Sequence, residues 1–210
     1  MFTSPPKRAG TVTGIAGSDE PLRQRIFVAL PLPAAAVAQL ADAQRAIVEM
    51  KCFDRRQLRL VPEHQFHVTL AFLGDIVATL VPLIVEVTTR VVSPYAPLYL
   101  RPTSWVTFPS THKPRIIALE FAELSGQLDA MVHQLNHSLL QQAIAIPARA
   151  FRAHTTVARL REIHPTRHPF TGPTLPTATW CERVVVYRSE LRTQGAHHFV
   201  QGTAWLTGQS

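Results

Sequence analysis

With 210 residues, 46% of them hydrophobic and only 17% charged, the chain has material for one sizeable core or two small lobes packed as a unit, which excludes a disordered protein. Its 21 Lys and Arg against 14 Asp and Glu leave a formal charge of +7, a balance that favours a polyanionic ligand, nucleic acid foremost. No apolar run approaches the ~20 residues of a membrane span. Cys52 and Cys181 stand apart without metal-ligand spacing, so free thiols and a cytoplasmic location are expected.

Residues 1–23 carry Pro, Gly, Ser and Thr without the apolar segment of a signal peptide, and are read as a flexible tail before a single unit over 24–207. Arg25–Leu30 reads as a buried strand and Ala34–Met50 as a helix. His67-Val68-Thr69-Leu70-Ala71-Phe72-Leu73 reads as a second strand, ended by Gly74, with Asp75 the N-cap of a helix from Ile76 to Val92. Pro82 is tolerable in that helix only near its first turn.

Leu98–Leu100 and Trp105–Phe108 read as strand pieces broken by Pro102, and a Pro-flanked turn leads into a strand over Arg115–Phe121. Leu124, Leu128, Met131, Leu135 and Leu139 recur at helical spacing, predicting a helix over 125–143 with that stripe in the core. His154-Thr155-Thr156-Val157-Ala158-Arg159-Leu160 follows as a strand. A Pro-rich surface loop over 162–179 and two closing strands, at 183–188 and 199–206, complete the chain.

The pattern His-x-Thr-aliphatic-Ala-x-Leu thus occurs twice. Chance supplies about one bare His-x-Thr in a chain of this composition, so the added matches give the signature its weight. Each copy also ends a strand–helix–strand run, and corresponding parts lie about 90 residues apart, which points to an internal duplication. In a strand, His and the Thr two residues on share a face. Two such strands facing one cleft would set two imidazoles and two hydroxyls around a phosphate ester: one His takes a proton, the other gives one, and Thr69 and Thr156 hold phosphate oxygens. The spacing does not order acid and base. His197 and His198 are adjacent and His164 and His168 are separated by Pro165, so neither pair forms a metal set; no metal and no cofactor are expected.

The double signature resembles the two-histidine (2H) phosphoesterases, and more narrowly the RNA 2′,3′-cyclic phosphodiesterases once called 2′-5′ RNA ligases. Arg25–Pro33, His67–Asp75, Phe108–Ser110, Pro114–Ile117, Phe151 with His154–Arg159, and Val186–Ser189 carry the match. The resemblance implies an α+β fold of two duplicated lobes, with antiparallel sheets facing a central cleft and helices outside. It implies a metal-independent hydrolase that opens terminal 2′,3′-cyclic phosphates of RNA to 2′-phosphates. His154 would be the general base, His67 the general acid, and Arg159 a phosphate contact. A monomer acting on RNA away from membranes is expected.

Alternatives stay open: a non-catalytic RNA binder on the same scaffold, or another 2H activity such as 2′-5′ ligation. Phe72, with Phe27, is a candidate wall for a base, against ordinary core packing. His64 reads as a solvated loop residue, and Arg115 and Lys113 as basic residues that line the RNA path or simply face solvent. Two positions depart from the family pattern. Ala153 replaces a usual Pro, which removes a backbone constraint before His154. Thr155 replaces Val or Ile, and is expected to face away from the cleft and contribute little.

Overall fold

The computed structural model describes residues 21–50, 52–110, 112–148, 150–161, 170–192 and 195–209. Most of the expected tail therefore lies outside the described residues, as does the 162–169 part of the Pro-rich loop. The elements in order are β1 (Arg23–Pro31), α1 (Ala34–Glu49), β2 (Leu58–Leu60), β3 (His67–Val77), α2 (Val81–Val92), β4 (Leu98–Phe108), β5 (Ile116–Ala122), α3 (Gln127–Gln141), β6 (His154–Leu160), β7 (Thr179–Cys181), β8 (Arg183–Arg192) and β9 (Gly195–Trp205). Every strand pairing is antiparallel. One sheet runs β3-β1-β8-β9 and the other β2-β6-β5-β4-β7. The α+β, two-sheet expectation is met, and each sheet carries one His-x-Thr strand.

The apolar runs explain the layering. Ile26, Val28 and Leu30 of β1 are wholly buried, as are Ile84 and Val87 of α2 and Leu135 and Leu139 of α3. Each such side chain contributes roughly 1.5–3 kcal/mol by leaving water.

Three local expectations are corrected. Gly74 does not end the first motif strand. Arg23–Ile26 of β1 pair with Val77–Gly74, so the ladder carries β3 on to Val77, and the positive φ of Gly74 (+72°) absorbs the bend. Asp75 is therefore a strand residue, α2 begins at Val81, and Pro82 falls in its first turn. Pro102 does not break β4; it sits at an irregularity between Pro102 and Ser104 and the strand continues. Leu124 is 70% exposed and precedes α3, while Leu128, Met131, Leu135 and Leu139 are buried as expected.

Candidate active site

Both motif strands carry a β-bulge one residue after the Thr. In β3 the register passes from Ala29↔Thr69 to Val28↔Ala71, leaving Leu70 as the extra residue. In β6 it passes from Ala118↔Thr156 to Ile117↔Ala158, leaving Val157. An extra residue reverses the alternation beyond it. The fifth residue after each His thereby returns to the face of His and Thr, although strict period two would turn it away. Those residues are Phe72 and Arg159. The carbonyl of the bulged Val157 accepts from the Val61 N–H (2.9 Å) and from Nε2 of Gln44 on α1 (2.7 Å), so a buried side chain satisfies what the bulge leaves over.

His67, Thr69, His154, Thr156 and Arg159 all line one cleft of about 640 Å³. In each lobe the ring is oriented in the same way. Nδ1 of His67 lies 2.6 Å from the Gln65 carbonyl, and Nδ1 of His154 lies 2.7 Å from the Arg152 carbonyl, each two residues back. A carbonyl oxygen only accepts, so Nδ1 is the donor in both rings and Nε2 is left for a ligand. The Ala153 carbonyl accepts from Phe121 N–H at 2.9 Å, so ladder and ring bonds hold the second motif where the family pattern has Pro.

Surroundings differ between the rings. His67 lies against Phe27 (centroids 5.1 Å) and His198 (5.5 Å), with Tyr187 at 6.3 Å. Burial first, then repulsion by His198, pushes its pKa down to about 4, with His154 and Arg159 adding to the shift against the Gln65 hydrogen bond. Its resting state at neutral pH is the uncharged ring. His154 instead faces Phe108 (5.0 Å), over whose ring the Arg152 guanidinium lies at 4.8 Å.

Other expected residues fall into place unevenly. Thr155 is buried and faces away from the cleft, but its hydroxyl donates to the His67 carbonyl at 3.0 Å, so it ties the second motif strand to the first. Phe72 does not line the cleft; the Arg25 guanidinium lies 4.8 Å over its ring, where a base would have to rest. Phe27 is buried beneath the histidines. Arg115 and Lys113 are not among the lining residues, whereas His64 is.

Residues to which the sequence assigned no role at the site also line it: Arg25, Arg59, Arg192 and His198, the last of which also packs on Phe27 at 4.8 Å. Only their basic character was a signal. Among the described lining residues there is no carboxylate. Such a cleft suits an anion held between two rings able to exchange protons with it.

Comparison with known proteins shows the family and the fold. Residues 30–118 match the model of the LigT like Phosphoesterase family. A Thermus thermophilus protein named RNA 2′,3′-cyclic phosphodiesterase is 31% identical over 193 residues, covering 88% of this chain and 91% of its own. The crystal structure of TT0787 from the same organism superposes with a TM-score of 0.76 at 26% identity, covering 89% of this chain and all of that one. Escherichia coli LigT in apo form, 20% identical and covering 88% and 98%, shares the fold with a TM-score of 0.71. On its sequence, its two-sheet fold and its paired His-x-Thr strands, the chain belongs to the RNA 2′,3′-cyclic phosphodiesterase family of LigT-like phosphoesterases.

Proposed function

We propose that the protein hydrolyses 2′,3′-cyclic phosphates at RNA ends to 2′-phosphates. The observation that carries this reading is the matched pair of rings, His67 and His154, each with Nδ1 committed to a backbone carbonyl and Nε2 left for the ligand. His154 takes a proton from water as the water oxygen bonds to phosphorus. The bond from phosphorus to the 3′ oxygen breaks, and His67 protonates that oxygen. Thr69, Thr156 and Arg159 donate to the non-bridging oxygens as negative charge builds on them.

The low proton affinity of His67 bears on this order. A ring that is uncharged in the free protein becomes the acid only by gaining a proton with the substrate, whose negative charge offsets the repulsion from His198, His154 and Arg159. Ligand binding above about pH 4 therefore takes up a proton, and affinity rises as pH falls toward that value. The cleft's arginines support an RNA end as substrate, and free thiols at Cys52 and Cys181 support a reducing cytoplasm. Among the described residues no helix is long and apolar enough to cross a membrane.

The test is incubation with each nucleoside 2′,3′-cyclic phosphate in the presence of chelator, with the product isomer identified. Sustained turnover to the 2′-phosphate is expected. Release of the 3′-phosphate would reverse the leaving-group assignment. RNA binding without turnover would make the protein a binder on this scaffold.

A further inference from the structure

One cyclic phosphate carries a single negative charge, and His67, His154, Thr69, Thr156 and Arg159 suffice to hold it. The cleft extends beyond them. Arg59 of β2 stands directly across the ladder from Arg159 of β6, so two guanidinium side chains leave the same face of neighbouring strands. Like charges in that relation destabilise a sheet pair. The repulsion registers on Arg159, whose proton affinity is lowered by burial and then by Arg59. No described lining carboxylate intervenes.

Gly195, the first residue of β9, lies beside this point. A Cβ added to Gly195 would lie 2.8 Å from Nη2 of Arg59, so the backbone here passes close beside the guanidinium, and the φ of +137° at Gly195 is one that favours glycine. Arg192 pairs with Gly195 in the hairpin and also lines the cleft, its charge shared with Glu190 at 2.9 Å. Arg59, an exposed residue, is thus a cation set opposite another cation at the cleft, and an anion between the two would relieve their repulsion.

We propose that Arg59, backed by Arg192, forms a second anion subsite for the internal phosphodiester adjoining the cyclic end of an RNA strand. This rests on the reading of the cleft as a cyclic phosphodiesterase site and deepens it: the preferred substrate is an oligonucleotide, not a mononucleotide. Spacing agrees. Arg159 lies three strand residues beyond Thr156, at most roughly 10 Å along the chain, and Arg59 is one ladder step, ~5 Å, to the side. Arginine reach covers the remainder.

The experiment uses a diribonucleotide ending in a 2′,3′-cyclic phosphate, its internal linkage either phosphodiester or uncharged methylphosphonate, beside the cyclic mononucleotide. The wild-type protein should turn over the phosphodiester form at least tenfold more efficiently, by kcat/KM, than the methylphosphonate form. Arg59→Ala should abolish that difference, Arg59→Lys should keep part of it, and Arg192→Ala should reduce it less. Equal handling of the two linkages by wild type would overturn the subsite, as would an undiminished difference in Arg59→Ala. If no cyclic end is hydrolysed at all, the functional reading fails on its own. The subsite is then read from the affinities of 2′-phosphate-ended dinucleotides with the same two linkages, where discrimination lost in Arg59→Ala supports it and equal affinities in wild type overturn it.

Discussion

The two motif strands share one local design and sit in unlike surroundings. Each has a His bonded through Nδ1 to the carbonyl two residues back and a Thr on the same face. Each also has a bulge after that Thr, and a fifth residue swung back to the cleft side. Around His67, though, lie Phe27, Tyr187 and His198, whereas His154 has Phe108 and an Arg152 that pairs with Glu120 at 2.5 Å. The fifth residues diverge too, Phe72 beneath Arg25 in one lobe and Arg159 in the other. A duplicated backbone thus supplies symmetric aim, while burial and the neighbours of His67 hold its pKa well below the ordinary imidazole value.

Removing either ring should break the comparison most severely. His67→Ala and His154→Ala are each expected to cost on the order of 10²–10⁴ in turnover. The double substitution should cost far less than the product, because the rings act as a unit. Rates with a cyclic mononucleotide check this, and near-wild-type turnover in either single variant would overturn the assignment.

Arg159→Ala should lower kcat/KM by roughly 10- to 100-fold, the loss of a charge-assisted contact worth ~1.5–3 kcal/mol, while circular dichroism stays unchanged. Unaltered kinetics would return Arg159 to a solvated face.

His198→Ala sharpens the asymmetry. It removes cover and a neighbouring imidazole from beside His67, so the His67 pKa should rise from about 4 toward 6.5. Proton uptake on binding a 2′-nucleotide near pH 6, measured by calorimetry in buffers of different ionisation enthalpy, should shrink. For folding the sign is fixed by the same shift. The depressed pKa means protonation disfavours the native state, so stability falls as pH drops from the unfolded value of ~6.5 toward 4, and His198→Ala should flatten that fall. An unchanged uptake would show that His198 does not set the proton affinity of His67.

The smallest effect is expected at Thr155→Val. It leaves the His67 carbonyl without its donor, costing about 1 kcal/mol and lowering Tm by ~2–4 °C for a chain of this size, with a few-fold loss of turnover. An unmoved melting curve and rate would make the cross-lobe bond incidental.

Much of this was legible in the residues. His67, Thr69, His154 and Thr156 could be placed on one face because alternation in a strand is a local property. The α3 stripe was legible for the same reason, Leu124 excepted, where periodicity ran past the true helix start at Gln127. What escaped depends on partners distant in sequence. Leu70 and Val157 look like any strand residues, and only pairing to β1 and β5 makes them bulges. Gly74-Asp75 has the chemistry of a helix start, and the ladder to β1 overrides it. His198 carries no motif and meets His67 only through β9, while Thr155, dismissed by its direction, reaches the other lobe.

The sheets are also interleaved along the chain. β8 and β9, from the end of the sequence, complete the sheet that holds His67, while β2 and β4, from its first half, complete the sheet that holds His154. A polypeptide cut in the turn between β4 and β5 would thus yield two fragments, each lacking strands its own histidine sheet requires. Neither should be active or stably folded alone, and mixing them should restore both properties together. Despite its duplicated motif, the protein has no half-enzyme to fall back on.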